Sequence, residues 1–265
     1  MAGRLSGKVA IVTGAGSRGP GWGNGKATAV LFAREGARIL AVDANLAAAE
    51  ETRAMIESNG GECSTFAADV SRAAEVEAMV AACIERYGRV DVLHNNVGIG
   101  ALGGPVELNE EDWDRLFNVN VKSVFLTCKY VLPIMERQGG GSIVNISSIG
   151  AIRDIGVPYV AYAASKAAVL QVTQSIGVQY AAKGIRCNVI LPGLIDTPHI
   201  RGPMQEAYGG DVDKMVAVRD AKSPTGKMGT AWDVAHAALF LASDEAAYVN
   251  AIQLVVDGGI TATIR

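Results

Sequence analysis

The chain has 265 residues, of which 49% are hydrophobic and 19% charged, and its formal net charge is −3. That much apolar material excludes a disordered chain, and the lack of any Lys/Arg block removes the electrostatic footprint of a nucleic-acid or anionic-membrane binder. No uninterrupted apolar run approaches ~18 residues, so a membrane span is not expected, and the expected setting is the cytoplasm with a small molecule as partner.

The first element is the strand KVAIVT, which is too short before its glycines to be a signal peptide. A helix around 24–35 follows, then the strand ARILAVD, a helix over 46–58, the strand ECSTFAAD and a helix over 73–87. Next come VDVLHN, a long helix over about 111–136, SIVNIS, a helix over 159–182 and IRCNVIL, and the pattern closes with a helix over 231–242 and QLVVDG. Seven short strands alternating with amphipathic helices predict a single domain over 1–265, an α/β doubly wound parallel sheet with helices on both faces. The segment 197–225 breaks the alternation, mixing Pro, Gly, Met, Tyr and charge, and reads as a flap over a site at the carboxyl edge of the sheet.

Between the first strand and the first helix lies TGAGSRGPGWGNGKA, with six glycines, Gly14, Gly16, Gly19, Gly21, Gly23 and Gly25. A strand, a glycine turn and a helix present backbone N–H groups and a helix N-terminus to a pyrophosphate. Asp43, ending the second strand, stands where a carboxylate accepts hydrogen bonds from an adenosine ribose, and it repels a 2′-phosphate, which favours NAD over NADP. Arg18 in the same turn is the opposing clue. Further on, Tyr162 and Lys166 in YAASK are spaced i and i+4, on one face of a helix, where an ammonium would favour the phenolate and make the tyrosine a general acid/base.

Cys63, Cys83, Cys128 and Cys187 form no C-x-x-C pair, and His94, His199 and His236 fall in different elements, so no disulfide framework and no metal site is expected. The cysteines are expected to be reduced and mostly buried, and His94 to be a packed strand-end residue.

With these motifs in register, from the glycine turn through NNVG, NVNV, GSIVNISS, YAASK and PGLIDT to VDGG, nearly the whole chain resembles a short-chain dehydrogenase/reductase of the branch with an Asn-Ser-Tyr-Lys tetrad. The resemblance implies a Rossmann-type fold and an oxidoreductase transferring hydride between NAD(H) and a secondary alcohol/ketone. It implies Tyr162 as proton donor and acceptor, Ser148 holding the substrate oxygen, Lys166 binding the nicotinamide ribose and tuning Tyr162, and Asn120 holding water for a proton relay. Gly14, Gly23, Asn24 and Gly25 would carry the phosphates. Asp43 would take the ribose, and Asp69 and Val70 would flank the adenine. Asn95, Asn96, Val97 and Gly98 would border the cofactor, Pro192, Gly193 and Ile195 would turn beside the nicotinamide, and Thr197 would bond its carboxamide. A homotetramer is also implied, and the Ala/Val-rich helix after Tyr159 fits burial against a partner.

Two other functions stay open: an NADP-dependent 3-oxoacyl-(acyl-carrier-protein) reductase, and a dinucleotide-binding scaffold or sensor without turnover. The chain departs from the family pattern in a turn five residues longer than usual, with Arg18 to Trp22 expected to bulge at the cofactor's rim and Trp22 to cover apolar surface. It departs again in Val97, where alanine is usual, and Ala251, where glycine is usual. Substrate identity is not legible. The candidate lining is 99–102 and 149–159 including Tyr159, then His199, Met204, Tyr208 and Met215, with Arg153 or Arg201 as possible carboxylate partners and solvent-facing charge as the simpler reading of both.

Overall fold

The computed structural model describes residues 3–200 and 209–264. In chain order the elements are β1 (Val9–Thr13), α1 (Asn24–Arg34), β2 (Arg38–Asp43), α2 (Leu46–Ser58), β3 (Cys63–Ala67), α3 (Ala73–Tyr87) and β4 (Val92–Asn95). They continue with α4 (Glu110–Phe117), α5 (Ser123–Gln138), β5 (Gly141–Ile146), α6 (Val160–Tyr180), β6 (Ile185–Pro192) and β7 (Ile195–Asp196). The last are α7 (Val212–Lys222), β8 (Gly229–Thr230), α8 (Ala231–Ala242) and β9 (Gln253–Val256).

Seven strands form one parallel sheet in the order β3-β2-β1-β4-β5-β6-β9. The sheet is covered on both faces, which is why β1 is a continuous apolar run buried at all five positions. Alternate residues of that strand serve opposite layers. Ala10 and Val12 pack with Phe32 of α1 and Leu239 of α8, while Val9 and Ile11 pack with Met79 of α3, Val131 of α5 and Val169 of α6. Burying each large side chain contributes about 1.5–3 kcal/mol, so both layers are needed to offset chain entropy. All four cysteines are buried free thiols in this interior, as expected.

A polar ladder crosses the centre. Asn95 of β4 and Asn145 of β5 are register partners joined by a side-chain hydrogen bond of 2.9 Å. The Thr127 hydroxyl of α5 donates to Asn95 at 2.8 Å, and Asn145 donates to Thr173 of α6 at 2.9 Å. Because buried amides must be satisfied, the ladder sets the positions of both helices against the two strands that flank the site. Asn95 is therefore a sheet residue, not the cofactor-bordering residue expected.

The structure corrects the chain reading in two places. The single long helix expected over 111–136 is two helices separated by a π-type turn over Asn118–Lys122. Within that turn the Asn120 side chain is drawn to the Ile99 backbone, which interrupts the regular ladder. The irregular segment expected over 197–225 contains α7, started by Asp211, whose side chain accepts from the Lys214 N–H at 2.9 Å. The two-residue strands β7 and β8, which pair parallel with each other, lie on either side of it. Strands that short carry no readable periodicity. Among the described residues, no helix is long and apolar enough to cross a membrane.

Just before β9, Ala251 stands at φ 57, the one described non-glycine residue with positive φ. Its N–H donates to the Cys187 carbonyl at 3.0 Å, so the conformation is held by the β6–β9 edge. An L-residue there costs roughly 1–2 kcal/mol, part of which glycine loses again to unfolded-state entropy. Ala251→Gly is expected to raise unfolding stability by about 0.5–1 kcal/mol. A urea midpoint that falls instead would contradict the strain.

Candidate active site

The strand order reverses between β1 and β4: from β1 the sheet grows outward to β2 and β3, and from β4 to β5, β6 and β9. Loops leaving the carboxyl ends of these strands part at that point, and a crevice opens where ligands bind in such sheets. The crevice holds about 640 Å³. Its lining comes from the turn after β1, the ends of β2 and β3, the loop after β4, the ends of β5 and β6, and the face of α6.

The turn after β1 is built so that no side chain can fill it. Gly14 has φ 62, and a Cβ there would lie 2.9 Å from the Asn96 amide nitrogen; a Cβ on Gly25 would lie 2.0 Å from the Gly14 carbonyl oxygen. Helix α1 starts at Asn24 after Gly23, with no side-chain cap on its first N–H groups. The Asn24 Oδ1 and the Ser17 Oγ are buried without a protein partner. An uncapped helix start, a cradle that a Cβ would block and two orphaned polar atoms fit the phosphates of a dinucleotide. Asp43 ties the wall together, accepting from the Gly16 N–H at 3.0 Å and the Asn45 N–H at 2.9 Å. Asn96 donates from Nδ2 to the Gly14 carbonyl at 3.1 Å, joining the turn to the loop after β4.

Of the residues expected at the cofactor, Gly14, Gly23, Asn24, Gly25, Asp43, Asp69, Val70, Asn96, Val97, Gly98, Pro192, Gly193, Ile195 and Thr197 all line the crevice. Gly16 and Arg18 line it too. Gly19 and Gly21 do not: they lie over Pro198, beyond β7. The extended turn is thus divided. Trp22 turns away from the crevice onto Trp232 of α8, ring centroids 4.7 Å apart, with the Lys26 ammonium 5.6 Å from its ring. It covers apolar surface as expected, but it is an anchor for the loop and not a rim of the crevice.

Three of the four tetrad residues meet at the inner end. Ser148 follows β5 and accepts from the Gly150 N–H at 3.1 Å, and its hydroxyl is hydrogen-bonded to the Tyr162 phenol. One helical turn on, Lys166 is buried, 3% exposed, and donates from Nζ to the Ile146 carbonyl at 3.1 Å. Its ammonium lies 5.9 Å from the centroid of the Tyr162 ring. The helix is held down by Ser147, which donates to the Lys166 carbonyl at 2.7 Å. Asn120 does not line the crevice. Its amide oxygen accepts from the Ile99 N–H at 2.8 Å, and its nitrogen donates to the Ile99 carbonyl and the Ser165 hydroxyl, both at 2.9 Å.

The electrostatics differ from the expectation for Tyr162. Burial raises its pKa, and the Ser148 hydrogen bond only partly offsets this, so the surroundings favour a neutral phenol and not an acidified one. Lys166 is itself deeply buried: loss of water brings its own pKa down to about 8, and its Nζ donates to the Ile146 carbonyl. Tyr159, whose ring lies tilted against Tyr162 with centroids 5.2 Å apart, is pushed up to about 12 by burial. His199 keeps part of its surface exposed at the crevice mouth, yet loss of water on its other side, then Arg18 and Lys166, lowers its pKa. His94 is a packed strand-end residue: it is fully buried beside Phe32.

The substrate readings separate. Ser148, Tyr159 and His199 line the crevice, as do Ile99 and Gly100, whereas Met215 is buried among Ile200 and Met228 behind it. Arg153 lies outside the crevice, with a guanidinium nitrogen 3.4 Å from the Thr261 carbonyl. Met204, Tyr208 and Arg201 lie outside the described residues. Arg219 of α7 was missed. It lines the crevice and is 7% exposed, and the available signal was an arginine four residues after Met215, on the same helix face.

The comparisons agree with this geometry. A family model described as enoyl-(acyl carrier protein) reductase matches residues 20–261. The 2-(R)-hydroxypropyl-CoM dehydrogenase of Xanthobacter autotrophicus is 40% identical, over 96% of this chain and 99% of its own. Levodione reductase of Leifsonia aquatica is 38% identical, over 98% and 96%. The crystal structure of a levodione reductase superimposes with a TM-score of 0.93 at 37% identity, over 98% and 99% of the two chains. A protein from Burkholderia xenovorans, 48% identical, reaches the same TM-score over the whole of both chains.

Lys166 carries a measurable signature. Its folded pKa of about 8 lies below its ordinary 10.5, so below pH 8 the buried charge destabilises the fold by roughly 3 kcal/mol. Between about pH 8 and 10.5 the unfolded chain binds a proton that the folded chain does not, so this penalty fades as pH rises. Buried thiols such as Cys63, raised to about 12, act the opposite way, losing stability above pH 9. They are common to wild type and Lys166→Met and cancel in the difference. Lys166→Met is expected to be the more stable at pH 7, with the gap closing by pH 10.5. Paired urea titrations showing no gap at pH 7 would refute it.

Proposed function

The chain belongs to the short-chain dehydrogenase/reductase family, and from that premise we propose an NAD-dependent oxidoreductase that interconverts a secondary alcohol and its ketone, with Tyr162 as the proton-transfer group. The observation that supports it most directly is the Tyr162 phenol, hydrogen-bonded to Ser148 and one turn from a buried Lys166, facing a crevice whose other end is a glycine cradle. Relatives named for a hydroxypropyl conjugate, levodione and D-threitol also point to alcohol and ketone substrates. A relative named 3-oxoacyl-[acyl-carrier-protein] reductase is 38% identical, and nothing in the crevice favours that substrate over a smaller ketone.

A bound nicotinamide supplies hydride to the carbonyl carbon in reduction and accepts it in oxidation. The remaining work falls to the protein. In reduction the Tyr162 hydroxyl gives its proton to the carbonyl oxygen, and the raised pKa keeps that proton in place at neutral pH. Ser148 donates to the same oxygen and fixes its distance from the phenol, which matters because displacements near 1 Å are costly in rate. In oxidation the phenol must first lose its proton. That loss is easier as pH rises, so the oxidation rate is expected to increase with pH.

Asn120 acts at one remove. By clasping both backbone polar atoms of Ile99 and the hydroxyl of Ser165, it pins the loop after β4 against α6, with Gly98 passing close under Lys166. A Cβ on Gly98 would come within 2.8 Å of the Lys166 Nζ.

The NAD reading rests on Asp43. Its carboxylate sits in the crevice wall at the end of β2, where the like charge of a 2′-phosphate would be repelled. Wild type is expected to favour NADH over NADPH at least ~10-fold in kcat/KM, and Asp43→Asn to narrow the ratio toward unity. A wild type preferring NADPH would overturn the assignment.

Tyr162→Phe is expected to reduce kcat/KM for ketone reduction about 10³-fold while NADH still binds by fluorescence titration. Near-full turnover in that variant would end the mechanism, and a wild type that binds NADH but turns over no ketone would favour a scaffold or sensor.

A further inference from the structure

We propose that Arg18, carried across the crevice by the five added residues of the glycine turn, binds the diphosphate bridge of the dinucleotide and not a 2′-phosphate. This rests on the dinucleotide reading of the crevice and gives the lengthened turn a task within it.

The path of the turn follows from what a side chain would meet at each glycine. A Cβ on Gly16 would lie 2.5 Å from the Ala48 Cβ and 2.9 Å from the Asp43 Oδ2, so the turn begins against the wall at the end of β2. Ser17 comes next, its buried Oγ 3.7 Å from where a Cβ on Gly23 would stand, beside the uncapped start of α1. By Gly19 the chain has reached the other side of the crevice. Cβ atoms on Gly19 and Gly21 would lie 3.9 and 3.5 Å from ring carbons of Pro198, in the short turn that follows β7. The chain then returns to Gly23, with Trp22 lodged on Trp232. The added residues Arg18 to Trp22 are the ones that make this crossing.

Arg18 stands on the crossing, between Ser17 and Gly19, and its exposed side chain lines the crevice. A 2′-phosphate would stand at the other wall, beside Asp43, whose carboxylate already accepts from the Gly16 and Asn45 N–H groups. The charge of Arg18 is felt instead at His199: loss of water, then Arg18, then Lys166 lowers the pKa of that imidazole. Arg18 thus lies between the ribose wall and the Tyr162–Lys166 end, and a dinucleotide has its diphosphate between its two riboses. The carboxylates of the described lining, Asp43 and Asp69, follow β2 and β3 and leave this middle stretch to the cation. A guanidinium meets two phosphate oxygens with a planar fork, adding a side-chain charge to the backbone cradle. The strap that carries it is stiffened by Pro20 and by the Trp22 anchor, so little freedom is lost when the ligand binds.

The test is binding, with no substrate present: NADH and NADPH are titrated by nicotinamide fluorescence and ADP-ribose by calorimetry. Arg18→Gln is expected to raise the Kd of NADH and of ADP-ribose about 30-fold, with most of the change in the NADH dissociation rate. Arg18→Lys is expected to lie between, because a point charge keeps attraction without the fork. The ratio of NADPH to NADH affinity is expected to stay within about 2-fold of wild type, and the weakening of NADH binding by added NaCl to be shallower in Arg18→Gln. Unchanged affinity in Arg18→Gln would overturn the proposal. So would a loss confined to NADPH, which would assign Arg18 to the 2′-phosphate, or a loss with the salt dependence of wild type, which would make Arg18 only a structural part of the loop. If Arg18→Gln fails to fold, Arg18→Lys and its salt dependence decide. Each of these results leaves the oxidoreductase reading standing, whereas a wild type that binds none of the three ligands sinks both.

Discussion

Much of the site depends on one buried cation. Lys166 is enclosed at the carboxyl edge of a parallel sheet, and its ammonium is held by the carbonyl of Ile146, the last residue of β5. That contact fixes where α6 lies along the sheet, and with it Tyr162 one turn earlier. Burying an ammonium costs several kcal/mol, as its pKa near 8 records, and a fold retains such a group where function needs the charge in that place.

The layers around it serve to hold this arrangement still. The Asn95–Asn145 pair joins the two strands whose ends border the crevice, and Thr127 and Thr173 bring α5 and α6 to that pair. Asn120, in the π-type turn between α4 and α5, does the same for the loop after β4 through Ile99. Each is a buried polar group that must find a partner, so displacement of one element leaves several groups unsatisfied at once. Rigid placement of reacting groups to a fraction of an ångström is what such redundancy provides.

Around that rigid centre the chain varies by loop. The lengthened glycine turn is carried by Trp22 onto Trp232, far enough that its outer glycines rest over Pro198, while Gly14, Gly16, Gly23 and Gly25 keep the inner wall. Helix α7, at the other end, brings Arg219 into the lining from a segment with no part in the sheet. The two ends of the crevice are thus built by separate pieces of chain, free to differ without disturbing the tyrosine and lysine between them.

What could be read in the sequence was whatever is local. Strand alternation, the 3.6-residue faces of α2, α3 and α8, the glycine turn and the Tyr-x-x-x-Lys spacing are properties of neighbouring residues, and they placed the seven strands, the glycine cradle and the Tyr162–Lys166 pair, while most other crevice-lining residues were implied by the family resemblance. Three things required the folded chain. Sequence spacing put an ammonium near Tyr162, but only the interior showed that burial outweighs it and keeps the phenol neutral, because desolvation depends on every atom around the ring. Asn95 and Asn96 look equivalent in NNVG, and only strand register sends one into the sheet and the other to the Gly14 carbonyl. Arg219 lies 57 residues from Tyr162 in the chain and shares its crevice, a proximity created by the return of the backbone across the sheet and by no pattern in its neighbours.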